Sequence, residues 1–439
     1  MVFQAERAVA PSGVEQCSFH TSGGFSMTGF RRAVKAVMVS LFALLFCASS
    51  FAATVSSRKY SPTQKQKIAE NASAQKRISR LRHNRSVART ATAQRKAATR
   101  RTVARASQLR YAERFYTSSF AANQGLGDVT GGEDPVVRAA ALDALGNMNG
   151  TVVAIDPESG RILAMVNQKL ALSQGAEPCS TIKVAVALAA LSENVVTKDT
   201  PVKLGRAGQI DLTHALAHSN NAYFEALGRR LGFEKVSHYA HQFGLGELAG
   251  WDIPGEHLGV FPSEELPQKL GGVGKMCSFG ESISMTPLQL GALISAIANG
   301  GTLYYLQHPL TPEDIANFQP REKRYLNIAS LIPEVSPGMA GAVQYGTARR
   351  VHESFTEEQI LGKTGTCSKD GTRFGWFASY ANTQSGRVVA VFFLEGGRPT
   401  FGPKAAELAG KFYRNLYDHN YFADVAPVRN TGYTAGPVR

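Results

Sequence analysis

Ser180 and Lys183 lie three residues apart where a turn runs into an apolar stretch that predicts a helix. Residues at i and i+3 share a helix face, so the lysine amine can reach the serine hydroxyl. A neutral amine near a second cation can take the proton that a serine loses when it becomes a nucleophile. The helix N-terminus would add unpaired N–H groups for a developing oxyanion. Taken alone, this short pattern is also typical of an N-cap serine beside a solvated lysine.

Two further motifs favour the chemical interpretation. The first is Ser219-Asn220-Asn221, and the second is Lys363-Thr364-Gly365-Thr366 in an apolar-flanked stretch near the C-terminus. In this order, Ser-x-x-Lys, Ser-x-Asn and Lys-Thr-Gly form a signature that resembles the penicillin-recognising serine acyltransferases. About residues 136 to 420 resemble the transpeptidase domain of penicillin-binding proteins, in segments that include 151–165, 243–246, 253–256, 285–290 and 296–301.

The resemblance implies roles in acyl transfer for three side chains. Ser180 would be the acylated nucleophile, Lys183 its general base, and Ser219 would pass a proton toward the leaving amine. The backbone N–H groups of Ser180 and Thr366 would form the oxyanion hole. The implied reaction transfers an acyl group from a D-Ala-D-Ala stem peptide, through an acyl-enzyme, to an amine of a neighbouring strand or to water.

The resemblance also implies the residues that bind the substrate. Asn221 would hold the substrate's peptide carbonyl. Lys363 would supply a second positive charge, which keeps the general base partly neutral and attracts the substrate's terminal carboxylate. The hydroxyls of Thr364 and Thr366 suit the same carboxylate. Gly365 would leave room where a substrate lies along the strand edge.

The expected function is that of a D,D-transpeptidase in cell-wall cross-linking, with peptidoglycan stem peptides as substrates and β-lactams as covalent inhibitors. Three alternatives stay open: a D,D-carboxypeptidase, a class D-like β-lactamase, and a β-lactam-binding protein without turnover. The β-lactamase is disfavoured because Asn221 stands where that class usually has an aliphatic residue. His218 adjoins Ser219, yet on a helix it would point about 100° away from it. No cofactor is required, and the histidines and cysteines show no metal-ligand spacing.

The net charge of +14 comes from one segment. Between Arg58 and Arg114, seventeen Lys and Arg residues stand against two acidic residues, and the rest of the chain is close to neutral. Residues 54–133 are therefore expected to form a basic Ala/Arg/Lys-rich tether, which could contact anionic lipids or envelope polymers. Nucleic acid is not an expected partner.

The N-terminal 53 residues are predicted to hold a targeting segment. Arg31, Arg32 and Lys35 precede an uncharged apolar run, and small residues follow it. This pattern fits a cleaved signal peptide, and the run is also just long enough to be a membrane anchor. The expected location is the cell envelope, at the outer face of the cytoplasmic membrane or in the periplasm. The transpeptidase domain is assigned to residues 134–422, and a loose tail to 423–439.

The pattern of elements predicts an α+β fold. An antiparallel sheet, built from both ends of the domain, would be flanked by helices and joined to a helical subdomain, as in the serine β-lactamase/transpeptidase-like fold. Residues 303–337 are poorly patterned. Helices are predicted over 135–145, 212–231, 287–299 and 404–417, and strands over 152–155, 161–166, 360–365, 375–380 and 388–394.

Two cysteines adjoin the expected oxyanion hole. Cys179 precedes Ser180 where the family usually has glycine, and Cys367 follows Thr366 where a small residue is typical. If both N–H groups bind one oxyanion, the two cysteines could come close enough for a disulfide that persists in an oxidising compartment. Because adjacency does not fix side-chain direction, the favoured expectation is separate small buried thiols, with Cys277 as a third.

Overall fold

The computed structural model describes residues 114–205, 208–383 and 386–422. The predicted signal or anchor segment, the tether up to residue 113 and the tail after residue 422 lie outside the described residues. Within those ranges, no helix is both long enough and apolar enough to cross a bilayer.

Eleven helices and nine strands are numbered in chain order through the described part. The helices are α1 Pro135–Leu145, α2 Gln168–Ala171, α3 Lys183–Ser192, α4 Leu212–Ala217, α5 Asn221–Leu231, α6 Phe233–Gln242, α7 Gly272–Phe279, α8 Pro287–Ala298, α9 Pro312–Ala316, α10 Ile332–Gln344 and α11 Gly402–Asp418. The strands are β1 Gly150–Ile155, β2 Ile162–Val166, β3 Val202–Lys203, β4 Gln209–Ile210, β5 Thr302–Tyr304, β6 Glu322–Tyr325, β7 Gln359–Lys369, β8 Thr372–Thr383 and β9 Gly386–Gly396. Short 3-10 turns cover Cys179–Ile182, Gln268–Leu270 and Arg349–Glu353.

The main sheet is five-stranded and antiparallel, in the order β2-β1-β9-β8-β7. The first two strands come from the start of the domain and the last three from its end, which confirms the predicted α+β class. β9 is a nearly continuous buried apolar run because both faces of the sheet are covered. β7 lies at one edge, so its free side is available to border a cleft.

Successive residues of each strand point to opposite faces of the sheet, so their side chains belong to two different hydrophobic cores. Val153 and Ile155 of β1 pack with α3 and α8 on one face. Val152 and Ala154 pack with α1 and α11 on the other face. The sheet is therefore a rigid platform between two helical layers, and its edge strand β7 keeps a fixed position relative to α3.

The predicted helix over 212–231 was wrong in its middle. α4 ends at Ala217, Ser219 has a left-handed φ of 57°, and α5 begins at Asn221. The side chain of Asn220 accepts a hydrogen bond from Tyr223 N at 3.0 Å, so Asn220 is the N-cap of the second helix. Asparagine favours helix starts over helix interiors because its side chain competes for backbone N–H groups.

The unpatterned stretch 303–337 contains regular structure that periodicity did not indicate. It includes β6, α9 and the first residues of α10. α10 has Pro333 in its first turn and Pro337 in its interior. A Cβ on Gly338 would lie 2.6 Å from Leu216 Cβ, so the close approach of α10 to α4 depends on this small residue. Proline and glycine reduce the apparent helix signal, although tertiary packing stabilises the helix.

Residues 114–133, assigned from sequence to the tether, are hydrogen-bonded to the α+β domain. Ser119 is buried, and its hydroxyl accepts from Gly397 N at 2.7 Å. The carboxylates of Asp128 and Glu133 both pair with Arg138 of α1, at 2.8 and 2.7 Å. The structured unit therefore begins before residue 134.

Candidate active site

The nucleophile candidate lies in a tight turn before α3. Ser180 belongs to the 3-10 turn Cys179–Ile182, and α3 begins at Lys183, so the serine lies one turn earlier than a simple helix start. The Lys183 Nζ atom is 2.6 Å from Ser180 Oγ, which confirms that the i, i+3 spacing brings the two side chains together. α3 is buried from Lys183 to Leu191 because it crosses the core between the sheet and the helical subdomain.

The break between α4 and α5 brings the second motif to the same lysine. Lys183 Nζ lies 3.2 Å from Ser219 Oγ and donates to Asn221 Oδ1 at 2.7 Å. Because Asn221 uses its oxygen for this bond, its amide NH₂ group stays free to donate to a substrate carbonyl. Ser219 has a left-handed φ of 57°, a backbone conformation that is uncommon for a serine, and this conformation separates α4 from α5.

The third motif supplies a second buried lysine. Lys363 of β7 is fully buried, and its Nζ donates to Ser219 Oγ at 2.9 Å and to Thr364 O at 2.9 Å. The Ser219 hydroxyl therefore bridges the two lysines. This arrangement gives a hydrogen-bonded proton path from Ser180 through Lys183 to Ser219.

Burial lowers the pKa of both lysines, and the charge of Lys363 lowers that of Lys183 further. The pKa of Lys183 is lowered to about 6, first by burial and second by the charge of Lys363, while Glu225 opposes the shift. Burial lowers the pKa of Lys363 to about 7. The rings of Phe224 and Phe279 lie with their centroids 5.8 Å from Lys183 Nζ and keep water from its neighbourhood. Near neutral pH, Lys183 is therefore mostly the free base that a serine nucleophile requires.

The two threonine hydroxyls are already engaged within the protein. Thr364 Oγ1 donates to Thr347 Oγ1 at 2.6 Å, and Thr366 Oγ1 accepts from Gly402 N at 2.8 Å. The hydroxyl proton of Thr366 remains available to a carboxylate, as does that of Thr347. Thr347 is a site residue that the sequence did not indicate. It follows α10, and its N–H donates to Ala217 O at 3.1 Å beside the second motif.

The role expected of Gly365 needs correction. A Cβ built on Gly365 would lie 2.8 Å from Pro178 O and 3.2 Å from Thr181 Cγ2. The missing side chain therefore lets β7 pack against the turn that carries the nucleophile. This geometry explains the glycine by close packing and not by space for a substrate. The contact explains how two segments distant in sequence form one narrow site.

Cys179 and Cys367 form a disulfide, with Cα atoms 5.5 Å apart. The favoured expectation of separate thiols was wrong for this pair. Cys277 remains a free buried thiol in α7. Cys179 has a left-handed φ of 52°, and sequence adjacency cannot reveal the side-chain direction that follows from this conformation.

An indole and an imidazole group adjoin the motifs but lie in different surroundings. Trp376 lies in the core, stacked on Phe393 with centroids 4.0 Å apart, and its Nε1 donates to Glu177 O at 3.0 Å. His218 is exposed, and its ring centroid lies 5.6 Å from that of Tyr345. Within the described ranges, no group of three His, Cys, Asp or Glu side chains is placed to hold a metal ion.

A serine hydroxyl against a neutral buried lysine, linked through a second serine to a second lysine, defines a serine acyltransferase of the Ser-Lys kind. The Penicillin binding protein transpeptidase domain model matches residues 150–417. The chain therefore belongs to this family, and the resemblance noted from the three motifs is confirmed.

The chain is similar to several curated proteins. It is 28% identical to Stage V sporulation protein D of Bacillus subtilis, covering 60% of this chain and 48% of that protein. It is 24% identical to the Peptidoglycan D,D-transpeptidase MrdA of Acinetobacter baumannii, covering 62% of this chain and 51% of that protein. The chain thus spans about half the length of these curated relatives.

Solved structures share the fold. The D,D-transpeptidase domain of a peptidoglycan glycosyltransferase from Eggerthella lenta aligns with a TM-score of 0.53 and 21% identity, covering 65% of this chain and 82% of that chain. Pseudomonas aeruginosa PBP2 aligns with a TM-score of 0.53 and 24% identity, covering 66% and 77%. These likenesses confirm the serine β-lactamase/transpeptidase-like architecture.

Proposed function

We propose that the chain is a penicillin-binding serine D,D-transpeptidase that acts on D-Ala-D-Ala stem peptides in cell-wall cross-linking. The observation that carries the proposal is the 2.6 Å approach of the buried Lys183 amine to Ser180 Oγ. Burial and a neighbouring cation lower the pKa of this amine to about 6, so it accepts a proton near neutral pH. Similarity to proteins named peptidoglycan D,D-transpeptidases supports the choice of donor peptide.

In the first step, Lys183 takes the proton of Ser180 as its oxygen attacks the carbonyl of the penultimate D-Ala. The negative oxygen that develops would lie between the backbone N–H groups of Ser180 and Thr366. Ser219 then passes a proton to the departing amine of the terminal D-Ala, and this proton is replaced from Lys183. The products are an ester on Ser180 and free D-Ala.

Substrate binding is assigned to the groups around this centre. The amide NH₂ of Asn221 donates to the donor's peptide carbonyl. The ammonium of Lys363 is buried, so it attracts the terminal carboxylate through its field. The hydroxyls of Thr366 and Thr347 donate to the carboxylate directly. In the second step, an acceptor amine attacks the ester, and the same relay takes up its proton.

The location proposed for this activity is the outer side of the cytoplasmic membrane, where cell-wall stem peptides are found. The export or anchor segment and most of the basic tether lie outside the described residues. β-lactams are proposed as covalent inhibitors, because their strained amide would acylate Ser180 by the same first step.

The test uses the full chain with a fluorescent penicillin and, separately, a stem pentapeptide with an amine acceptor. We expect a persistent adduct by intact mass, located on Ser180 by peptide mapping, together with release of D-Ala and formation of an acceptor-linked product. Ser180→Ala is the matched control and should give neither. Release of D-Ala without a linked product would indicate a carboxypeptidase. Rapid loss of the adduct would indicate a β-lactamase, and an adduct without D-Ala release a binding protein.

A further inference from the structure

We propose that the Cys179–Cys367 disulfide is a positioning element for acylation, and that its reduction slows attack by Ser180. The inference rests on the proposed function, because it concerns the oxyanion hole of the same reaction. Cys179 directly precedes Ser180, and Cys367 directly follows Thr366. With its Cα atoms 5.5 Å apart, the disulfide joins the two backbone segments that carry the expected N–H donors.

The polar contacts between the turn and the sheet lie upstream of the nucleophile. Trp376 Nε1 donates to Glu177 O at 3.0 Å, and Lys369 Nζ pairs with the Glu177 carboxylate at 3.1 Å. Gly365 packs closely on Pro178 O and on Thr181 Cγ2, on either side of Ser180. The polar contacts hold residue 177 and the Gly365 packing is noncovalent, whereas the disulfide is a covalent link at the residue directly before Ser180. The disulfide is therefore placed to control the direction of the Ser180 N–H.

The backbone of Cys179 explains why this control matters. Its φ of 52° lies in the left-handed region, which a residue with a Cβ rarely adopts. The peptide unit that carries the Ser180 N–H follows directly after this torsion. When the disulfide is broken, Cys179 is free to relax toward a negative φ, and that relaxation would rotate the N–H away from the oxyanion.

Access to the disulfide is asymmetric. Cys179 is fully buried, whereas Cys367 is half-buried near the end of the edge strand β7. A thiolate of a dithiol reductant can attack the Cys367 sulfur and displace Cys179 as a thiolate, which takes a proton. The second thiol of the reductant then releases Cys367. Two electrons and two protons pass to the protein, and the dithiol becomes a disulfide.

The expected effect is a loss of rate. Displacement of reacting groups by about 1 Å can cost about 100-fold, and loss of one oxyanion donor costs about 100- to 1,000-fold. For a donor that is rotated and not removed, we expect acylation to slow by about 10- to 100-fold. Noncovalent penicillin binding should change little, because Asn221, Lys363 and Thr366 stay in place. If the disulfide only stabilised the fold, its reduction would not lower the acylation rate constant while leaving the dissociation constant for penicillin nearly unchanged.

The experiment measures the acylation rate constant and the preceding dissociation constant of a fluorescent penicillin on the full chain. The protein is studied oxidised, reduced with dithiothreitol, and reoxidised, with the state of the disulfide checked by alkylation and intact mass. Two variants break the bond without a reductant. Cys367→Ala leaves the turn unchanged in sequence, and Cys179→Gly supplies a residue that accepts the left-handed φ. Cys277→Ala is the matched control because it removes only the free thiol.

We expect slow acylation in the reduced protein and in Cys367→Ala, recovery on reoxidation of the wild type, and a normal redox response in Cys277→Ala. Cys179→Gly should be the faster of the two bond-breaking variants, because glycine keeps the turn conformation at lower cost. Wild-type rates in protein whose disulfide is shown to be broken would overturn the proposal. So would variants that lose rate only in proportion to unfolded protein, as monitored by circular dichroism. Absence of labelling in the oxidised protein would instead refute the proposed function.

Discussion

The repulsion between the two lysines predicts a measurable shift in the pH dependence of acylation. Lys183 must be neutral to act as a base, so acylation should fall below its pKa of about 6. Lys363 should work as a cation, so acylation should also decline above its pKa of about 7. The acylation rate of the wild type should therefore show a narrow bell-shaped pH dependence. Its two apparent pKa values describe the coupled pair of lysines.

Lys363→Met removes one charge and keeps a side chain of similar length. The Nζ atoms of both lysines bond Ser219 Oγ, at 3.2 and 2.9 Å, so they lie at most about 6 Å apart. At that distance and an effective dielectric constant of about 20, their repulsion is about 3 kcal/mol, or about 2 pKa units. Loss of this repulsion favours protonated Lys183 and raises its pKa. The acidic limb should move from about pH 6 to about pH 8, and the alkaline limb should disappear.

The assay is the second-order rate constant for fluorescent penicillin between pH 5 and about pH 9.5, a range chosen to cover both limbs. Lys363→Arg is the matched control, because a guanidinium keeps its charge throughout this range and should leave the acidic limb near its wild-type position. The overall rate can fall in both variants without affecting the argument, which concerns the position of the limb. An acidic limb in Lys363→Met that stays within about 0.5 pH units of wild type would refute the repulsion.

Four further outcomes are expected. Ser180→Ala should abolish covalent labelling with a thermal midpoint within a few degrees of wild type; an adduct mapped elsewhere would contradict the assignment. Lys183→Arg should slow acylation by at least about 100-fold because a guanidinium is no base, and a smaller loss than in Lys363→Arg would argue against its role. Gly365→Ala should lower the free energy of unfolding by about 1 to 3 kcal/mol, measured by urea denaturation, because its Cβ would meet Pro178 O at 2.8 Å. The stability of the wild type should rise with pH between about 7 and 10.5, since the unfolded state binds protons that buried Lys183 and Lys363 have lost; a flat profile would count against these shifts.

The fold was largely predictable where burial leaves a simple pattern. The helix predicted over 135–145 has the observed bounds of α1, because an Asp134 cap and a first-turn proline mark its start. The strands at both ends of the domain were recognisable from their apolar runs, although β7, β8 and β9 extend several residues further. The pattern weakens in these extensions because their ends are exposed and polar.

The site was predictable to the extent that local spacing controls it. Ser180 and Lys183 are three residues apart, so their contact depends on local backbone geometry and was predictable without the rest of the fold. The left-handed Ser219, the break before Asn221 and the contact of Thr347 with Thr364 depend on how α4, α5 and α10 pack together. The hydrophobic periodicity of the sequence does not indicate such contacts.

By itself, the sequence determined the three motifs, their order and the family to which the chain belongs, because each motif is a short run of chemically defined side chains. Only the tertiary structure decided how low the pKa values of the two lysines fall, since burial lowers both and a charge 180 residues away in sequence lowers that of Lys183 further. It also decided that Cys179 and Cys367 are bonded and that Gly365 serves packing against the nucleophile turn. These properties depend on distances between segments that are remote in the chain, and only the packed core brings those segments together.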